Sequence, residues 1–305
     1  MSSAIRVLVT GATGFIGRHT VDALLAAGHD VHAVTSRGGG SSADATWYRA
    51  DLLEPGAAAA LVATVHPTHL LHLAWYAEPG KFWTSLENYR WLEASIALVR
   101  AFAERGGQRI VLAGTCAEYD WRHGFCSEHI TPRRSATPYA ACKNALFDTL
   151  SSLAERASFS AAWGRVFLLY GPHEAEARLV PSVITALLRD ERARCTHGNQ
   201  IRDFLHVADV ASAFAALVTS DVRGAVNIAS GIPVTIRDVV LAAAYQLGAP
   251  DRVEFGALAA PANEPPLVVG DARRIRNEVG WAPKYDLSSG IEETVGWWSR
   301  TLVAR

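Results

Sequence analysis

A glycine-rich segment near the N-terminus constrains the fold of this chain most strongly. The segment GATGFIG, residues 11–17, follows the β-branched run VLVT and overlaps the start of a helical stretch, Phe15 to Ala27, that ends at Gly28. Glycines at this spacing let the chain turn tightly from strand to helix, and they let backbone N–H groups at the helix N-terminus approach a pyrophosphate. The segment therefore predicts a dinucleotide-binding unit.

The first half of the chain alternates strands and helices. Residues 5–10, 30–35, 69–75 and 109–115 have the pattern of strands, and Trp83 to Glu104 has that of a helix. Such alternation is typical of a parallel sheet with helices on both faces and ligands at the carboxyl ends of the strands. We expect an α/β fold with a doubly wound parallel sheet of Rossmann type and a smaller C-terminal substrate-binding lobe.

The pattern becomes irregular after about residue 165, and this change sets the expected domain boundaries. Residues 1–164 and about 205–230 are predicted to form the dinucleotide-binding domain. Residues about 165–204 and 231–305 are predicted to form the lobe.

Composition excludes several function classes. The chain has 305 residues and a net charge of −1 spread over both signs, so we expect neither nucleic acid nor a membrane surface as a partner. The four cysteines show no C-x-x-C pair or metal-ligand spacing, which predicts reduced thiols and no metal site. With no signal-peptide pattern and no apolar run near the ~18 residues of a membrane span, we expect a cytoplasmic protein.

Ser36 and Arg37 follow the strand 30–35, at a place where many nucleotide-binding chains carry an acidic residue. An Asp or Glu there accepts a hydrogen bond from the adenosine ribose 2′-hydroxyl and repels a 2′-phosphate. A guanidinium instead offers a charge-assisted, bidentate grip on that phosphate. Arg18, one turn along the first helix, is expected to reinforce it. These residues predict NADP(H) as the cofactor.

Tyr139 and Lys143 lie four residues apart in the helical segment TPYAACKNALFDTLSSLAE. At this spacing the two side chains share one helix face. An ammonium about 4 Å from a phenol stabilises the phenolate by about 4 kcal/mol at an effective dielectric constant of about 20, which lowers the tyrosine pKa. Thr115, at the end of the strand 109–115, supplies a hydroxyl. We expect Thr115, Tyr139 and Lys143 to be catalytic.

With these motifs in place, the chain resembles the extended short-chain dehydrogenase/reductase family, which includes nucleotide-sugar epimerases, dehydratases and 4-ketoreductases. The resemblance runs along essentially the whole chain, through GATGFIG, Asp51-Leu52, HLAW, GTCAEY, YAACK, RVFLLYGP, IRDFLHVADV, NIASG and GWAPKYDL. It implies that Thr115 and Tyr139 hydrogen-bond the reacting sugar oxygen and that Lys143 holds the nicotinamide ribose. It also implies a homodimer built on the helix that carries Tyr139 and the helix beside it.

The motifs and the resemblance together define the expected binding residues. Those expected to bind the cofactor are Gly11, Thr13, Gly14, Phe15, Ile16, Gly17, Arg18, Ser36, Arg37, Asp51, Leu52, Leu73, Ala74, Trp75, Tyr139 and Lys143. Those expected to bind a nucleotide-sugar substrate are Trp75, Cys116, Ala117, Glu118, Arg178 and Arg202. Arg202 is expected to meet the substrate diphosphate, with an ion pair to Asp203 or Asp209 as the alternative. Glu118 and His173 have a surface position as their default.

The residues after Thr115 narrow the reaction. Dehydratases that resemble this chain carry an Asp-Glu or Asp-Gln pair there, whereas this chain has Cys116 and Ala117, so 4,6-dehydration is not expected. Epimerising reductases of the GDP-fucose type use a Cys two residues after the hydroxyl and a later His, and here Ala117 and the His-free segment ARLVP stand in their place. A hydride and the tyrosine proton suffice for what remains. We expect NADPH-dependent reduction of the 4-keto group of a nucleotide-linked 4-keto-6-deoxy sugar.

Three alternatives stay open at this point. The first is a nucleotide-sugar 4-epimerase or dehydrogenase that uses bound NAD(P). The second is a non-catalytic NADP(H)-binding protein, since a fold does not fix a function. The third is a reductase of a ketone or aldehyde that carries no nucleotide.

Overall fold

A computed structural model describes residues 4–38, 40, 42–157 and 159–303. Its strands are β1 (Arg6–Thr10), β2 (Asp30–Thr35), β3 (Thr46–Arg49), β4 (His69–His72), β5 (Arg109–Thr115), β6 (Phe125–Cys126), β7 (Ser160–Val166), β8 (Leu168–Tyr170), β9 (Ala193–Cys195), β10 (Ile201–His206), β11 (Gly224–Ile228), β12 (Pro233–Thr235), β13 (Val253–Phe255) and β14 (Leu267–Gly270). Its α-helices are α1 (Phe15–Ala26), α2 (Ala57–Val65), α3 (Glu87–Glu104), α4 (Pro138–Arg156), α5 (Leu179–Leu188), α6 (Val207–Thr219), α7 (Ile236–Gln246), α8 (Arg273–Asn277) and α9 (Leu287–Val303).

The main sheet confirms the expected doubly wound α/β fold. Within the described residues it has seven parallel strands in the order β3-β2-β1-β4-β5-β7-β11. The strand order reverses between β1 and β4, and in open α/β sheets the crevice at such a reversal is where ligands bind. The GATGFIG turn leaves β1 at this crevice, and Leu73 to Trp75 leave β4 there.

Alternating side chains along the strands pack against helices on both faces of the main sheet. In β1, Val7 and Val9 pack with α1 and α6, while Leu8 points to the opposite face and packs with α2, α3 and α4. All three side chains are fully buried. Successive residues of a strand face opposite sides, so a strand covered on both faces is apolar at every position.

A second sheet is built mostly from strands that follow β7 in the chain. Its strand order is β12-β10-β14-β6, with β8 also pairing to β10, and β9 pairs separately with β13. Helices α5, α7 and α9 pack together around a third apolar cluster that includes Ile184, Val239 and Ile291. Among the described residues, no helix combines the length and apolar character needed to cross a bilayer.

Most predicted elements match the structure, and two boundaries were wrong. β4 ends at His72 rather than Trp75, because its neighbour β1 ends at Thr10, whose carbonyl accepts the last bond of this pairing from the Leu73 N–H. Helix α3 begins at Glu87 rather than Trp83, because residues 76–86 form a loop that includes Pro79 and Gly80. Both deviations lie beside the crevice. The sequence patterns gave no separate expectation for β3 or α2.

Candidate active site

The turn after β1 has the shape of a phosphate cradle. Gly11 has φ of +70°, and a Cβ there would lie 2.7 Å from the backbone nitrogen of Ala74. A Cβ on Gly17 would lie 2.0 Å from the carbonyl oxygen of Gly11. Glycine is therefore the residue that fits both positions. Gly14 stands before α1 without a side-chain cap, so the first N–H groups of the helix are open to an anion.

Two arginines lie at the carboxyl edge of β2 and β3. Ser36 and Arg37 are exposed, and the Arg37 N–H donates to Thr35 Oγ1 at 3.3 Å. The β2–β3 register pairs Thr35 with Arg49, which places a second exposed arginine at this edge. Neither arginine forms an ion pair within the part of the chain that the structure describes. Sequence reasoning missed Arg49, although its place at the end of the next strand was a usable signal.

Asp51 and Leu52 follow this edge and differ in environment. Asp51 is exposed and its Oδ1 accepts from the Leu53 N–H at 3.0 Å, while Leu52 is buried in the core. The Asp51 carboxylate therefore stabilises the turn that follows β3.

Arg18 does not reinforce Arg37 as expected. Its Nη1 contacts His173 Nδ1 at 2.9 Å and its Nη2 donates to the Thr13 carbonyl at 3.1 Å. His173, with φ of +69°, belongs to the YGPHE loop after β8. Arg18 therefore ties that loop to the glycine-rich turn.

Thr115 is held in place by a capping box at the end of β5. The short 3-10 helix Cys116–Glu118 begins here, and the Ala117 N–H donates to Thr115 Oγ1 at 3.2 Å. In return, the Thr115 N–H donates to Glu118 Oε1 at 2.8 Å. The backbone and the hydroxyl of Thr115 are thus fixed by the same short segment.

The surface position expected for Glu118 is wrong. Its side chain is fully buried, and its carboxylate accepts hydrogen bonds from Thr115, from Trp163 Nε1 at 2.9 Å and from Arg165 Nε at 2.7 Å. The Arg165 side chain is 2% exposed. A carboxylate in the core is stable only with such partners, so these contacts explain why Glu118 lies inside. It supports Thr115 from beneath and is not open to a substrate.

Tyr139 reaches Thr115 from the start of α4. Thr137 caps this helix by accepting from the Ala140 N–H at 3.2 Å, which sets the direction of the first turn. The Tyr139 hydroxyl is hydrogen-bonded to the Thr115 side chain. Burial raises the pKa of Tyr139 above its ordinary value, and this hydrogen bond opposes the shift only in part.

Lys143 was expected to lower the pKa of Tyr139, but it is not among the groups that act most strongly on that pKa. Its Nζ donates to the Ala113 carbonyl at 2.9 Å and lies over the Trp75 ring. The side chain is 4% exposed, and burial lowers its pKa to about 7. Burial thus shifts the two pKa values in opposite directions, because in both groups it disfavours the charged form.

An aromatic wall lies beside Tyr139. We use this name for Phe82, Trp83 and Trp121. The rings of Phe82 and Trp83 meet the Tyr139 ring edge-on at centroid distances of 4.9 and 5.7 Å, and Trp121 meets Trp83 at 6.1 Å. The Tyr139 N–H donates to the Trp83 carbonyl at 3.3 Å. Sequence reasoning missed this wall because it assigned Trp83 to a helix.

Three of the expected substrate residues lie near Thr115, Tyr139 or the aromatic wall. The guanidinium of Arg178 lies 5.3 Å from the centre of the Phe82 ring, and its charge acts on Tyr139. Cys116 and Ala117 are buried, and burial raises the pKa of the Cys116 thiol. A neutral thiol is a poor nucleophile.

Arg202 pairs with neither Asp203 nor Asp209. Its Nη2 donates to Glu264 Oε1 at 3.0 Å, and its side chain is 7% exposed. Asp203 accepts instead from Ser230 and the backbone of residues 231 and 270, and Asp209 accepts from the backbone N–H groups of residues 284 and 285. Glu264, which lies far along the chain in a proline-rich loop, gave no sequence signal.

Glu174 is a half-buried acid that sequence reasoning did not single out. Burial raises its pKa to about 8, partly opposed by the charge of Arg178. Its Oε2 has no hydrogen-bond partner among the described residues. Its position in the YGPHE loop was the one available signal. At neutral pH it is largely protonated and can donate a hydrogen bond.

Comparison with known proteins identifies the family of this chain. The sequence model of the NAD dependent epimerase/dehydratase family matches residues 7–229. The chain belongs to this family. A curated relative, CDP-abequose synthase of Salmonella typhimurium, is 26% identical over 94% of this chain and 96% of its own length.

Two solved structures resemble the chain over nearly its full length. One is MoeE5 in complex with UDP-glucuronic acid and NAD, with a TM-score of 0.84, 29% identity and coverage of 97% of this chain and 99% of that one. The other is the UDP-glucose 4-epimerase of Thermus thermophilus in complex with NAD, with a TM-score of 0.84, 26% identity and coverage of 96% and 99%.

As a member of the epimerase/dehydratase family, the protein is an enzyme of oxidoreductase type that uses a nicotinamide cofactor. The cradle fits that group, since the Cβ-free surfaces of Gly11 and Gly17 and the open N-terminus of α1 suit a pyrophosphate. Thr115, Tyr139 and Lys143 converge beyond it at the carboxyl end of β5. This arrangement can exchange a proton with a carbonyl or hydroxyl oxygen.

Proposed function

We propose that this enzyme uses NADPH to reduce the 4-keto group of a nucleotide-linked 4-keto-6-deoxy sugar. The observation that carries the proposal is the pair Arg37 and Arg49, exposed and unpaired within the described residues, at the edge of β2 and β3. The ribose 2′-position of a dinucleotide lies near the end of this strand in Rossmann folds. Two guanidinium groups there favour a 2′-phosphate over a 2′-hydroxyl.

The residues at the end of β5 supply the proton chemistry. A bound NADPH supplies the hydride. Tyr139 donates its hydroxyl proton to the sugar oxygen, and the Thr115 hydroxyl stabilises the developing charge on that oxygen. Burial keeps Tyr139 in the protonated form that a reduction requires.

The aromatic wall supports a deoxygenated sugar as the substrate. Phe82, Trp83 and Trp121 offer apolar ring edges and faces around Tyr139. A methyl group at C6 packs against such an apolar surface more favourably than a hydroxymethyl group does. The relative CDP-abequose synthase is, by its name, a synthase of a nucleotide-linked sugar, which agrees with a substrate of this class.

Arg202 supports a diphosphate on the substrate. It is a buried cation whose ion-pair partner, Glu264, is 28% exposed at the side chain. A substrate diphosphate brings more negative charge than one carboxylate, so it can compete with Glu264 for the guanidinium.

A 4-epimerase that uses bound NAD is the second candidate. The Thermus thermophilus relative is a UDP-glucose 4-epimerase in complex with NAD, and the proposed roles of Thr115, Tyr139 and Lys143 would serve oxidation and re-reduction equally well. This alternative predicts cofactor retained through purification and no net consumption of NADPH.

We also propose that the enzyme is a cytoplasmic homodimer, with the division into a dinucleotide-binding domain and a substrate lobe that the sequence suggests. Helices α3 and α4 pack side by side, and Leu86 and Tyr89 are exposed at the start of α3. Exposed apolar side chains beside a pair of packed helices favour association with a second copy.

The direct test is an NADPH oxidation assay over a panel of 4-keto-6-deoxy sugar nucleotides. We expect turnover in the wild type and none in Tyr139→Phe, with unchanged NADPH binding in the variant. Arg202→Ala should raise KM for these substrates and hardly affect a ketone without a diphosphate. Interconversion of 4-hydroxy sugar nucleotides without NADPH loss would instead establish the epimerase.

A further inference from the structure

The ammonium of Lys143 has an unusual environment for a buried charge. Its Nζ lies 3.7 Å from the centre of the Trp75 ring and 6.0 Å from that of Trp163. Ala113, through its carbonyl, is its one hydrogen-bond acceptor among the described residues. An ammonium has three N–H donors, so an aromatic face here takes the place of a polar partner.

Trp75 is fixed in its orientation by a second residue. Its Nε1 donates to Asn88 Oδ1 at 2.8 Å. Asn88 is fully buried, and its Nδ2 donates to the carbonyls of Phe82 and Ser85 at 2.7 and 2.8 Å. Asn88, in the first turn of α3, therefore connects the indole to the loop that carries Phe82 and Trp83 of the aromatic wall.

We propose that Trp75 is a positioning residue that holds the Lys143 ammonium, in its charged form, against the end of β5. The face of the indole stabilises the cation, and the hydrogen bond to Asn88 keeps that face in place. The inference rests on the site of the proposed function. It applies equally to the reductase and to the epimerase, since both use Lys143.

Three other titratable groups act on or near this lysine. Glu118, below β5, favours the charged lysine, and Cys142 on α4 does so to a lesser extent. His72 of β4 lies between Thr10 and Ser95, and burial lowers its pKa to about 3, so it is neutral. Substitutions of Trp75 change none of these three side chains, so we assign a shift in the titration of Lys143 to the loss of the indole.

The chain offers a direct readout, because Lys143 is one of three lysines, with Lys81 and Lys284. Protein labelled with 13C at lysine Cε gives three resonances. The resonance that is lost in Lys143→Arg belongs to Lys143. The titration needs neither substrate nor cofactor, so its result does not depend on whether the proposed reduction is correct.

The decisive comparison is Trp75→Phe against Trp75→Leu. Phenylalanine keeps an aromatic face, and leucine keeps an apolar side chain without one. We expect Trp75→Leu to lower the pKa of Lys143 by about one unit or more, because a desolvated cation–π contact contributes about tenfold or more to the protonation equilibrium. Trp75→Phe should keep most of the wild-type value. Trp91→Leu is the matched control, since Trp91 contacts Trp75 at 6.5 Å, and it should not shift Lys143.

Equal Lys143 titration curves in wild type and Trp75→Leu would overturn the proposal and leave Trp75 a packing residue. Should Trp75→Leu fail to fold, Trp75→Met provides the same comparison with an unbranched side chain. In an active preparation, the acidic or basic limb of the kcat profile should move with the Lys143 pKa, whereas a purely structural role would change only the amount of folded enzyme.

Discussion

Two regions of the candidate site differ in how their charged residues are paired. We call the buried network beside Thr115 the floor, and the exposed edge of β2 and β3 the rim. In the floor, Glu118 and Arg165 are buried and pair with each other at 2.7 Å. At the rim, Arg37 and Arg49 are exposed and have no ion-pair partner in the described ranges. A charge satisfied by its own protein positions neighbouring groups, while a charge left open to solvent can bind a ligand.

The floor extends well beyond one ion pair. Arg165 Nη1 donates to the Tyr119 hydroxyl at 2.9 Å, and that hydroxyl donates to Asn227 Oδ1 at 2.7 Å. Asn227 Nδ2 in turn donates to the carbonyl of Cys126 in β6. These bonds connect three strands of the main sheet, through Thr115, Arg165 and Asn227, to the second sheet. Thr115 is thus placed by a network that spans both sheets.

The largest effect is expected from Glu118→Gln, which breaks the floor. The amide NH₂ would face the Arg165 guanidinium and leave its charge buried and unpaired. We expect the free energy of unfolding to fall by about 3–5 kcal/mol, measured by urea denaturation. Glu104→Gln is the control. It removes an exposed partner of Arg100 and should cost about 1 kcal/mol or less. Equal losses in both variants would contradict the assigned role of the floor.

Thr115→Val tests the point where the floor meets the substrate. The substitution keeps the shape of the side chain and removes the hydroxyl that bonds Tyr139. We expect kcat to fall about 100-fold, as on the loss of one donor to a developing charge. Steady-state kinetics with NADPH held in excess measure this loss. An unchanged kcat in a folded variant would remove Thr115 from the mechanism.

Lys143 is a buried charge that the floor only partly satisfies, so it should make stability depend on pH. Its folded pKa is about 7, below the unfolded value of 10.5. Between these values the unfolded chain binds more protons, so stability should rise with pH by at most about 1.4 kcal/mol per unit. Urea unfolding of wild type and Lys143→Met from pH 7 to 10 measures the difference. A flat or falling difference would contradict the burial argument.

Arg49→Ala should have the smallest effect, at the rim. Arg49 lies opposite Thr35 in the β2–β3 pairing, and Thr35 precedes Arg37 by two residues. We expect NADPH affinity to fall a few-fold, because a solvent-exposed contact to a phosphate is worth about 1 kcal/mol or less. Calorimetric titration measures the loss. A loss larger than that in Arg37→Ala would make Arg49 the principal phosphate ligand.

The sequence predicted the parts of the site that local chemistry determines. β2 and β5 have their expected bounds, and the glycines of residues 11–17 form the expected turn, because periodicity and glycine conformation are local properties. Family membership also followed from ordered motifs. Glu118 was misplaced because its partner Arg165 is 47 residues away.

Long-range partners account for the remaining misses. Arg202 meets Glu264 across 62 residues, and Trp83 reaches Tyr139 from a loop that reads as helix by periodicity. The pKa of Tyr139 is raised because burial outweighs the hydrogen bond with Thr115, and burial depends on the assembled fold. A pattern of single residues carries no information on these pairings.

The measurement that tests the central claim most directly is calorimetric titration of the purified protein with NADPH and NADH, with Arg37→Ala alongside and Arg100→Ala as an exposed-arginine control. We predict that NADPH binds at least about tenfold more tightly than NADH, and that Arg37→Ala loses this margin while Arg100→Ala keeps it. Equal or tighter binding of NADH, or NAD already bound to the purified protein, would contradict the reductase and favour the epimerase.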